Sequence, residues 1–91
     1  MIANLKGPRL SRLGDLVSAA REEAGKARHS DELIVLLIYT KADPPPEQMA
    51  EELGMPRSEC AALLRAAAER LKSDPGFNNH FHRLNRNLRD I

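Results

Sequence analysis

The chain has 91 residues, a formal net charge of +1, 42% hydrophobic residues and only 3% aromatic ones. That length suits one small domain burying roughly 60–65% of the surface its unfolded form exposes, and a core with so few aromatics must be aliphatic, which favours helices over a sheet and needs no cofactor to fold. A single cysteine, Cys60, excludes an internal disulfide, the run from Leu33 to Tyr39 is too short to span a bilayer, and Met1 to Gly14 lacks the continuous apolar segment of a secretory signal, so a cytoplasmic protein without membrane contact is expected.

Residues 1–8 show no period and contain Gly7-Pro8, which predicts a flexible arm carrying Lys6, with Arg9 and Arg12 just beyond it. From there Leu10, Leu13, Val17, Ala20 and Ala24 fall at helical steps, with Gly14 as a weak point inside and Gly25 as the stop. Ser30 has the chemistry of an N-cap, and Asp31 and Glu32 suit the positive end of a helix. The apolar run that follows, "LIVLLIYT", fits either a buried strand or a buried helix. The acidic first turn and the absence of a pairing strand favour a central helix over about residues 31–41.

Pro44, Pro45 and Pro46 break that helix, and the last of them is suited to open the next, from Pro46 to Leu53. Gly54 supplies a left-handed residue, and Pro56-Arg57 opens a helix to about Ser73. Asp74-Pro75 then caps a last helix over residues 75–91, whose stripe Phe77, Phe81, Leu84, Leu88 and Ile91 is the most regular in the chain. The expected fold is therefore all-α: five helices in one domain with no wing.

The segment "PPPEQMAEELGMPRSECAALLR" carries the functional signal. A helix crossing close over another needs a small residue beneath it, and Ala50 is there. The turn needs a residue tolerant of positive φ, and Gly54 stands four positions on. Met49, Leu53, Met55, Cys60 and Leu63 supply apolar side chains where the two helices meet each other and the core. On these residues the stretch 46–65, about a fifth of the chain, resembles the helix-turn-helix of bacterial transcription regulators. It is most similar to the fourth region of sigma factors and to the reading unit of winged-helix repressors. The chain departs from both, because residues after Ser73 read as a helix instead of a two-stranded wing, and the other sigma regions are missing.

The resemblance implies that the helix at about residues 57–72 docks in the major groove of double-stranded DNA and that Pro56, Arg57, Ser58, Ala61, Ala62 and Arg65 face it. Arginines there would bond guanine or phosphate, and the alanines offer van der Waals contact alone. Shallow reading of that kind calls for help from the basic ends: residues 1–29 carry six Lys/Arg against three acids and residues 60–91 six against three, while residues 30–59 carry two against seven. Arg9, Arg12, Arg83 and Arg86 are thus candidate phosphate contacts. The stripe Phe77, Phe81, Leu84, Leu88 and Ile91 is a candidate dimer surface, since two recognition helices about 34 Å apart engage successive major grooves.

His80 and His82 point in different directions on a helix, Cys60 lies inward, and no nucleophile–base set or phosphate loop appears, so neither metal binding nor catalysis is expected. The reading is a small DNA-binding regulator of bacterial or phage type, acting as a homodimer. The alternatives are a helical adaptor that binds another protein through its acidic middle, and the DNA-recognition subunit of a phage packaging or replication complex.

Overall fold

The computed structural model describes the backbone of residues 2–88 and the side chains of residues 13–88. Five helices follow one another: α1 (Ile2–Ala24), α2 (Ser30–Ala42), α3 (Pro46–Leu53), α4 (Arg57–Ser73) and α5 (Pro75–Asn87), with no strand among the described residues. The all-α expectation holds, and the described residues after α4 form a helix instead of strands.

α2 is the axis of the molecule. Its six consecutive side chains Leu33, Ile34, Val35, Leu36, Leu37 and Ile38 are all buried, because α1, α4 and α5 pack around it. A helix apolar on every side is stable only when enclosed. Each such Leu, Ile or Val contributes about 1.5–3 kcal/mol by leaving water. α1 turns Leu13, Leu16, Val17, Ala20 and Ala24 towards this axis, and α5 turns Phe77, Phe81, Leu84 and Leu88 towards it. Ala20, Ala24 and Ala67 have no exposed surface, so at these points small side chains let neighbouring elements come close. Polar pins fix the ends. Arg70 Nε donates to Glu32 Oε1 at 2.6 Å, tying α4 to the first turn of α2, and this bond pushes the Arg70 guanidinium pKa up. Asn78 Nδ2 donates to the Leu71 carbonyl at 3.1 Å, closing the last turn of α4 from the start of α5.

Three sequence expectations are corrected. Of the flexible arm expected over residues 1–8, residues 2–8 belong to a helix that starts at Ile2 and runs through Gly7-Pro8. Ser30 is not the cap of α2 but its first helical residue. His29 precedes it at φ 61 and turns the chain in the left-handed conformation, with no side-chain cap bond, while its ring meets Phe77 edge-on at 6.5 Å. Finally, Phe77, Phe81, Leu84 and Leu88 are 5% exposed or less. The stripe expected to hold a second copy is consumed by this chain's own core, because α5 packs back on α4 and α2. Ile91, its last expected member, lies outside the described residues, and the helix expected to reach residue 91 ends at Asn87, with Leu88 as its C-cap.

Candidate nucleic-acid interface

The α3–α4 unit is built from its turn outward. α3 starts on Pro46 and ends at Gly54, whose φ of 69 is strained for any residue with a Cβ. The Gly54 N–H donates to the Glu51 carbonyl at 3.2 Å and the Met55 N–H to the Ala50 carbonyl at 3.1 Å. This pair of bonds is the Schellman arrangement, which satisfies carbonyls a helix end otherwise leaves open. Arg21 of α1 adds a third tie, donating from Nη2 to the Leu53 carbonyl at 3.1 Å, where a cation also suits the negative end of the helix. The chain then extends through Pro56 (φ −63, ψ 149) and enters α4.

Behind this turn the expected inward set is in place. Met49, Ala50, Leu53 and Cys60 are buried, and Met55 and Leu63 are half-buried against the same core. Burial pushes the Cys60 thiol pKa up, which keeps it protonated and makes it a small apolar filler and not a reactive group.

The other side of α4 is bare. Arg57, Ser58, Ala61, Ala62 and Arg65 are all exposed, and with Ala68, Glu69 and Lys72 they continue one face along the whole helix. Pro56 is exposed at its head. Spacings of three and four residues place them on that common face. Their chemistry is uneven. Arg57 Nη1 lies 3.0 Å from Oε1 of Glu47, an ion pair joining the first residue of α4 to the first turn of α3. Arg65 belongs to no ion pair among the described residues. Over residues 46–65 the unit carries Glu47, Glu51, Glu52 and Glu59 against two arginines, so it is locally acidic. Arg83 and Arg86 are exposed on α5; the side chains of Arg9 and Arg12, both within α1, lie outside the described residues.

Comparison with protein-family models, curated proteins and solved structures returned no match.

Beside the α4 face, sequence reasoning overlooked a groove. Leu36 and Tyr39 of α2 and Ala61, Leu64, Arg65 and Ala68 of α4 line a shallow, mostly apolar depression of about 340 Å³. Tyr39, 45% exposed, is the exposed large hydrophobic side chain among the described residues. Its position at the end of an apolar run suggested burial like its neighbours, but α2 emerges from its packing partners at that turn. Among the described residues no group of three His, Cys, Asp or Glu could hold a metal, and no helix is long and apolar enough to cross a membrane.

Proposed function

We propose that the protein binds double-stranded DNA through α3 and α4 and acts in the cytoplasm as a small transcription regulator. The observation that carries this reading is the exposed α4 face. Arg57, Ser58, Ala61, Ala62 and Arg65 lie together on a helix whose opposite side is anchored by Cys60 and Ala67 and whose entry is set by the Gly54 turn. A helix so presented fits the major groove, about 12 Å wide. Ala61 and Ala62 allow the helix backbone to come close to the bases, and Arg57 and Arg65 offer donors to phosphate or guanine. Because the unit is locally acidic, affinity draws on the exposed Arg83 and Arg86 and on the bases of residues 1–29, six Lys/Arg against three acids. With the α5 stripe enclosed in its own core, one copy presents one recognition helix, and a second copy must join through another surface.

Titration of a labelled duplex across a range of salt tests the reading. Affinity should fall steeply with salt, with a slope of log K against log salt near −0.9 for each phosphate neutralised. Replacing Arg57 and Arg65 together by Ala should weaken binding while the thermal unfolding curve stays in place. Absence of binding to any duplex at low salt would sink the proposal. It would favour the second reading, a helical adaptor for another protein, which the exposed Tyr39 above an apolar groove supports.

A further inference from the structure

We propose that Glu47 is a built-in competitor for DNA: it holds Arg57, so a duplex must draw the guanidinium away from this carboxylate before the start of α4 can engage a phosphate. The inference rests on the DNA-binding reading above and concerns the same face.

Glu47 stands in the first turn of α3 and Arg57 is the first residue of α4, ten positions apart in sequence. The Schellman turn at Gly54 folds the two helix starts towards each other, and Arg57 Nη1 donates to Glu47 Oε1 at 3.0 Å. A carboxylate and a phosphate are both acceptors and want the same donors. The guanidinium has donors to share, but its single positive charge cannot neutralise two anions at once. The two arginines of the α4 face therefore differ. Arg65, two turns along and in no ion pair among the described residues, meets a phosphate with its full charge. Arg57 arrives already neutralised, and Glu47 stays on α3 as a like charge beside the backbone it would contact. Glu59, exposed in the first turn of α4, adds to this repulsion.

The pair is open to solvent, with side-chain exposures of 64% for Arg57 and 75% for Glu47, so it is screened and weak. It does not lock the site. It lowers affinity for every duplex alike, leaving short-lived non-specific contacts to dissociate, and its cost is offset where α4 also makes good contacts with the bases.

Binding of a labelled duplex at several salt concentrations, with thermal unfolding of each protein alongside, tests the inference on the full chain. The proteins are the wild type, Glu47→Gln, Arg57→Ala, the double variant and Arg65→Ala. Glu47→Gln should bind roughly three- to tenfold tighter at low salt, and its slope of log K against log salt should steepen by less than the 0.9 or so of a whole additional phosphate, because the wild type also reaches that phosphate once Glu47 is displaced. In the Arg57→Ala background the same change should gain distinctly less, because it removes only the like charge of Glu47 and no guanidinium remains to be released. If Glu47→Gln leaves affinity and slope unchanged while Arg65→Ala still weakens binding, the competitor role is overturned and the DNA-binding reading stands. A gain that persists in full without Arg57 also overturns it, since that would be the removal of a nearby negative charge and nothing more. If neither the wild type nor Glu47→Gln binds, both readings fall together.

Discussion

α2 and α4 pack against each other, yet they spend their surfaces in opposite ways. The thirteen residues of α2 bury six side chains in succession, while the seventeen residues of α4 bury only Cys60 and Ala67. Each helix has three neighbours, and the difference lies in how those neighbours are arranged around it. α2 is enclosed by α1, α4 and α5, which leaves it no continuous face for a partner until its last turn emerges at Tyr39. α4 rests on α2, α3 and α5 with one side and shows the other to solvent along its whole length. In this molecule the interior helix supplies stability and the outer helix supplies surface.

That division can be broken by substitution, and the largest effect should come from α2. Leu37 has no exposed surface, and Leu37→Ala should cost about 2–5 kcal/mol in urea unfolding through lost burial and the cavity left behind. A loss under about 1 kcal/mol would show that α2 is not the axis it looks to be. On α4 the matching experiment is functional. Arg57→Ala with Arg65→Ala should lower duplex affinity roughly tenfold to a hundredfold and shift the unfolding midpoint by no more than a couple of degrees. A large loss of stability in that variant would mean the outer face is structural after all.

Smaller effects sharpen the contrast at the joints. Gly54→Ala meets open space, so its cost is the backbone strain of φ 69 alone, about 1–2 kcal/mol by thermal unfolding. Asp74 accepts from the Phe77 N–H at 3.2 Å, and Asp74→Ala should cost about 1 kcal/mol by the same measurement, through loss of the cap that starts α5. Ala62→Glu should sit at the bottom of the stability series, within about 0.5 kcal/mol of the wild type, because its side chain enters solvent. In the duplex titration, however, it should weaken binding clearly, as it sets a negative charge on the face expected to meet phosphates.

Much of the fold was legible residue by residue. Pro46, Gly54, Asp74 and Pro75 mark helix limits through properties of their own: a fixed φ, a missing N–H, tolerance of positive φ, a side chain that accepts an N–H. The inward set Met49, Ala50, Leu53 and Cys60 followed from the positions that the resemblance to a helix-turn-helix requires to be small or apolar. Ser30 misled because a capping side chain can equally stand one place inside the helix, and what moved it there was the conformation of His29. Leu16 lies off the single line of three- and four-residue steps along α1 and is buried all the same, because three neighbouring helices cover a wider face.

The site was less legible, and for a physical reason. Exposure of Arg57, Ser58, Ala61, Ala62 and Arg65 could be expected from the period of α4, but nothing in the spacing of Glu47 and Arg57 says that they meet. They stand ten positions apart, and contact depends on the angle set at Gly54. The Arg21 tie to Leu53 and the Glu32–Arg70 pair span 32 and 38 residues and are equally silent in sequence.

By itself, then, the sequence determined the helix limits at Pro46, Gly54, Asp74 and Pro75 and which side of each helix is apolar, because those are properties of a residue and its near neighbours along one backbone. Only the tertiary structure decided what those apolar sides would touch. The stripe of α5 suits a second chain as well as it suits α2 and α4, since burial is favourable whatever the partner and carries no direction of its own. Short connections returned α5 to its own core before any second copy was needed, and the same folding brought Glu47 to Arg57 and left the far face of α4 open.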